Sequence, residues 1–153
     1  MTIEIIITFL VRLALIGLFF PFSALDKVLN FNGAVSQARQ IGVGRGLGMA
    51  MILIGLTIEV VMSLGVLTGV ADRLAAFILA GYCAATAVLY KQFWTAPAFS
   101  LRNPGDQFWD FLKNFAVAGG FLLITFGTTA NGVQDFFSAP LSSTQPYAIG
   151  AQP

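Results

Sequence analysis

The chain has no histidine and a single cysteine, Cys83. Bis-histidine haem and protein-held copper, zinc or iron–sulfur centres all need several such ligands, so no metal site and no covalently held cofactor are expected of this chain alone. An intrachain disulfide is excluded as well, and the lone thiol reads as a small packing residue. Charge is equally scarce. Charged residues make up 10% of the 153 residues and hydrophobic ones 57%, with a net charge of +1 and a mean hydropathy of +0.82. Such a chain lacks the polar surface of a soluble domain. Its dispersed basic residues also offer no surface to nucleic acid.

What the sequence does have is long apolar runs. A spanning helix takes roughly 20 largely apolar residues. Such stretches run from about Ile3 to Ser23, from about Leu47 to Val70, from the turn Ala71-Asp72-Arg73 to about Tyr90, and from Asp106 to Thr129. The expected fold is all-α, an integral membrane four-helix bundle over residues 1–130, with the lipid bilayer as its first partner. Residues 131–153 carry three prolines and a single charge, Asp135, and read as a polar, mobile tail. The first run does not read as a cleaved signal peptide, because Glu4 and no lysine precede it, it is too long, and no A-x-A site follows.

The connecting segments carry their own signals. Between the first two spans, Asn32 caps an expected amphipathic helix with Val35, Ala38 and Ile41 on its apolar face, lying along the interface. Glycines 42, 44, 46 and 48 match no phosphate-binding spacing and read as a flexible lead into the second span. Between the third and fourth spans, Phe93-Trp94, Pro97, Asn103-Pro104-Gly105 and Phe108-Trp109 suggest a loop at the membrane interface, where such aromatics settle. In the fourth span, Lys113, Ala116 and Gly120 share a helical face that is expected to meet a neighbouring helix.

A charge within hydrocarbon costs several kcal/mol unless it is paired, so each one marks a possible site. Gly48, Gly55, Glu59 and Ser63 share one face of the second span, which aims the Glu59 carboxylate at other helices. In an up-down bundle, Arg12 of the first helix is positioned to meet Glu59. Asp26 and Lys27 fall on the same side of the membrane as Lys113 and Asn114. The candidate polar cluster is therefore Arg12, Lys27, Glu59, Lys113 and Asn114, arranged in one pocket or two. A plainer reading makes Arg12 and Glu59 a structural pair and lets Lys113 snorkel to the headgroups.

These residues together resemble the DoxX family of small four-helix membrane proteins, over roughly residues 10 to 128. The resemblance rests on Arg12 with Gly17, Phe19 and Phe20, on Lys27 with Phe31, on Glu59 and GVLTGVADRLAA, and on Phe93-Trp94. Its most specific part is FLKNFAVAGGFLL at Phe111 to Leu123. Lys91 stands where the family pattern often has a histidine, so no imidazole role carries over. The resemblance implies a quinone-interacting membrane subunit of an oxidoreductase, with a soluble or membrane redox protein as partner. Arg12, Lys113 or Asn114 would then donate to the quinone carbonyls and Glu59 would exchange a proton. The alternatives are a non-catalytic anchor or assembly subunit, or a small-solute transporter. The expected location is a bacterial-type plasma membrane. Lys27, Arg39, Arg45, Lys91, Arg102 and Lys113 bias the polar segments to the cytoplasm and the termini to the outside.

Overall fold

A computed structural model describes residues 2–97 and 99–148. Those residues are helical with no strand among them. Four units are long and apolar enough to cross a membrane: Ile3–Leu29, Arg45–Thr68, Asp72–Thr95 and Gly105–Phe126. Large apolar side chains such as Val11, Ile54 and Leu123 are 62%, 60% and 60% exposed on the outside of the bundle. That outward display suits lipid, where every backbone group is satisfied within its own helix.

The first unit is longer than the sequence suggests and is not one helix. Helix α1 (Ile3–Ile16) gives way to a wide π-type turn at Leu18–Ser23, and α2 (Ala24–Leu29) follows. Phe20 leaves helical geometry at φ −125 and ψ 118, and the Phe20–Pro21 peptide is cis. Proline has no N–H to give the ladder, which is why the regular helix stops here. The chain then resumes as α2 instead of leaving the bundle at Ser23, and this keeps Lys27 inside.

Helix α3 (Phe31–Ala38) buries Val35 and Ala38 against α4 (Arg45–Thr68), with Asn30 rather than Asn32 at its N-cap. It packs as a cover on α4. A methyl group on Gly48 would sit 3.1 Å from Cγ of Arg39 and 3.4 Å from the Val35 carbonyl oxygen, so the glycine eases the close approach. Gly46 and Gly48 already belong to α4, and the flexible lead is confined to Gly42 and Gly44.

Helix α5 (Asp72–Tyr90) lies between α4 and α6 (Gly105–Phe126) and buries Ala76, Ala80, Cys83 and Ala87. These small residues form a seam along the helix, with Cys83 in it as the packing residue its sequence position suggests. The core joins Ile16, Val66, Leu79, Cys83 and Phe121, each 0% exposed. In α6 the buried face runs through Ala118, Phe121 and Thr125, one residue around from the expected face. Lys113 and Ala116 point outward, and only Gly120 of that trio meets a neighbour, Leu15.

The α5–α6 connection forms an aromatic cluster in which the Phe93 ring lies 5.0–5.2 Å from those of Trp94, Phe99, Phe108 and Phe111. Trp94 and Trp109 are half exposed, as interfacial anchors are. Beyond α6, the residues read as a tail fold back onto the opposite end of the bundle. Helix α7 (Asn131–Ser138) buries Phe136 beside Phe77 and Phe126, at 5.1 and 5.5 Å. Residues 149–153 of that tail lie outside the described residues.

Candidate functional site

The buried charges form two separate clusters at different depths. Arg12 and Glu59 do not meet. In the antiparallel packing of α1 on α4, Arg12 is level with Val66, whose carbonyl accepts from Nη1 at 2.5 Å. Glu59 is seven residues back along α4, about 10 Å at 1.5 Å per residue.

At the end of the bundle where α4 turns into α5, Nη1 of Arg12 pairs with Oδ2 of Asp72 at 2.8 Å. Thr144 completes the cluster. Its hydroxyl accepts from Nη2 of Arg12 at 2.6 Å and donates to Oδ2 of Asp72 at 2.5 Å, while its N–H donates to Oδ1 at 2.9 Å. Three residues further on, Tyr147 donates to the Leu67 carbonyl. Arg73 stitches the same end together through the carbonyls of Thr125 and Gly132 at 2.8 and 3.0 Å. Both terminal nitrogens of Arg12 and both carboxylate oxygens of Asp72 are thus partnered.

The second cluster surrounds Glu59, which is 1% exposed. Lys27 reaches it from α2, with Nζ 2.7 Å from Oε1 and 3.0 Å from Oε2. The Ser23 hydroxyl and the Tyr82 phenol each donate to Oε1 at 3.0 Å. Lys27 also donates to the Ser23 oxygen at 2.5 Å. The glycine at residue 55 leaves room for Tyr82 to lie close across α4. A methyl there would stand 3.0 Å from the phenol oxygen and 3.4 Å from the ring.

Between the clusters, α4 presents only the hydroxyl of Ser63, fully buried and without a hydrogen-bond partner. The remaining neighbours at that depth are the apolar core residues around Ile16, Leu79 and Phe121.

Glu59 also faces a cavity of about 550 Å³ between α2, α3, α4 and α5. Its walls are mostly apolar, including Leu18, Phe19, Met51, Ile58 and Leu89. Ser23, Lys27, Glu59 and Tyr82 close its inner end, and Gln37, Tyr90, Lys91 and Asn114 stand toward the loops. Ligand sites commonly enclose roughly 300–1,000 Å³ of largely apolar space with a few convergent polar groups, and this cavity has that form.

Of the residues singled out in the sequence, the structure therefore brings Lys27 and Glu59 together and places Asn114 on the same cavity. Arg12 belongs to the other cluster. Lys113 belongs to neither. Its side chain is 74% exposed and lies 3.5 Å from Asp110, which in turn pairs with Lys91 at 2.9 Å. Sequence reasoning missed Ser23, Asp72, Tyr82 and Thr144. Asp72 offered a signal, since a carboxylate in a tight turn after α4 must be level with the first half of α1. Tyr82 offered one too, as a hydroxyl in an alanine-rich span.

Fold and site together define a four-helix integral membrane protein with a polar group set inside its bundle. The chain matches the DoxX family model over residues 7–92, more than half of its length, and it belongs to the DoxX family. The match takes in both charged pairs but ends before α6, and so before the FLKNFAVAGGFLL motif and Thr144. No curated protein and no solved structure matches the chain.

Proposed function

We propose that the cavity receives the ring of a quinone or hydroquinone and that the chain is the quinone-handling membrane subunit of an oxidoreductase. The observation that carries this reading is the meeting, in one mostly apolar cavity, of a buried carboxylate with an ammonium and a phenol. A lipophilic ring suits the walls, and the polar groups suit its oxygens. Oxidation of a hydroquinone releases two protons and two electrons. Glu59 is the base for one proton at the inner end of the cavity, the second proton leaves the outer ring oxygen for water at the cavity mouth, and the electrons pass to a redox centre on a partner protein, because this chain has no histidine and one cysteine.

The Arg12–Asp72 cluster has a different role in this reading. None of Arg12, Asp72 and Thr144 lines the cavity, both carboxylate oxygens of Asp72 and both terminal nitrogens of Arg12 are partnered, and the cluster holds α1, α4 and α5 in register. Transport of a solute is disfavoured by the packed core between the clusters. The test is gentle purification from the native membrane, followed by analysis of extracted quinone and co-purifying proteins. Stoichiometric quinone with a redox protein is expected. A redox partner without quinone points to an anchor subunit, and neither present defeats both readings.

A further inference from the structure

The hydrogen atoms at the inner end of the cavity are already committed. Lys27 has three N–H bonds, directed to Oε1 and Oε2 of Glu59 and to the Ser23 oxygen. Ser23 and Tyr82 have one O–H each, and both donate to Oε1 of Glu59. Thr86, also on the cavity wall, turns its hydroxyl back to the carbonyls of Tyr82 and Cys83 at 2.9 and 3.0 Å. No donor is free there for a ligand oxygen that can only accept.

Acceptors, by contrast, remain. Oε1 of Glu59 takes three hydrogen bonds, whereas Oε2 takes one, from Lys27 at 3.0 Å. A carboxylate oxygen has two lone pairs, and so does the phenol oxygen of Tyr82, which donates but receives nothing among the described residues. A group entering this end must therefore bring its own hydrogen.

We infer that the inner end of the cavity selects a hydroxyl group, so that the hydroquinone rather than the quinone is the form held against Glu59. The inference rests on the reading of the cavity as a quinone site and sharpens it to one redox state. A quinone carbonyl placed there would face the carboxylate and the phenol lone pairs with no hydrogen between them. A hydroquinone O–H donates to Oε2 and makes the stronger kind of hydrogen bond, one to a charged acceptor. The outer ring oxygen is under no such restriction. Asn114 uses one amide hydrogen on the Asp110 carbonyl at 2.8 Å and keeps a second hydrogen and its oxygen, so it can donate or accept. This reverses the expectation that protein donors grip two carbonyls.

The test compares three ligands on the unaltered protein in mild detergent. They are a decyl-substituted dimethoxy-methyl-benzoquinone, the same compound held reduced without oxygen, and the bis-methyl ether of the reduced form. The ether keeps the ring and tail but has no hydrogen to donate. Equilibrium dialysis with chromatographic quantification gives the three affinities. The hydroquinone is expected to bind about tenfold or more tightly than either other ligand, the size set by one hydrogen bond to a charged acceptor. Equal or tighter binding of the quinone overturns the inference while leaving the quinone site in place. Equal binding of the ether and the hydroquinone overturns it too, since the hydrogen then contributes nothing. If none of the three binds, the proposed function falls with it. Glu59→Gln supplies an amide donor in place of the lone pairs and should shift the preference toward the quinone, and an unchanged preference in that folded variant counts against the inference.

Discussion

The two buried ion pairs are built from the same kinds of group and end in opposite conditions. Arg12 and Asp72 are 7% and 0% exposed and are sealed by Thr144, which bonds both partners. Glu59 is just as buried, but its neighbours Lys27 and Tyr82 line a cavity of about 550 Å³. Removing charge from water is costly unless geometry and further hydrogen bonds compensate. The first cluster meets that requirement at both carboxylate oxygens and both terminal nitrogens, and it borders no cavity that could admit a ligand to them, so its role is to hold helices. The second meets it on Oε1 and leaves Oε2 with spare capacity beside open space. The difference lies in the cavity that borders one cluster and not the other, rather than in the kinds of group that make them.

Breaking the sealed pair should have the largest effect on stability. Asp72→Ala leaves the Arg12 guanidinium buried without a counter-charge, and such a loss costs about 3–5 kcal/mol. Denaturant titration in detergent micelles should show it as the least stable single variant. Thr144→Val removes the hydroxyl bonds to both partners but leaves the ions paired, so a smaller loss of roughly 1–3 kcal/mol is expected from the same titration. Glu59→Gln should unfold later than Asp72→Ala, because Lys27 is 17% exposed on the cavity side and can be solvated there. A Glu59→Gln variant as unstable as Asp72→Ala would erase the contrast between the clusters. Gly55→Ala should move the Tyr82 ring off Glu59 at a cost of about 1–3 kcal/mol from overpacking, and weaken hydroquinone binding with the bundle still folded. Lys113→Ala sits at the end of this series. With its side chain in solvent or headgroups, neither folding nor binding should change measurably.

Much of this was legible in the sequence because helical periodicity fixes faces. Gly48, Gly55, Glu59 and Ser63 do share the buried side of α4, as their spacing demands. Which charge meets which was not legible, because pairing depends on the axial register between helices and not on position within one. The departure from helix at Phe20 and the continuation to Leu29 carry Lys27 inward, and the pairing follows from that continuation. A rotation of one residue separates the expected face of α6 from the actual one, so Asn114 faces the cavity where Lys113 was expected. Thr144 was invisible to pattern reasoning. A threonine in a polar segment after the last span has no periodicity to mark it.

That threonine also fixes an order of events during synthesis. The residue that closes the Arg12–Asp72 pair follows Arg12 by 132 positions. At about 5–20 residues per second, a ribosome takes on the order of 10 s to cover that distance. Through that interval the first helix carries a guanidinium that its own segment cannot satisfy, and for most of it Asp72 is present without the hydroxyl that bridges them. Until Asp72 emerges, the guanidinium has to be met by groups outside its own segment, and the Thr144 hydroxyl joins the pair last.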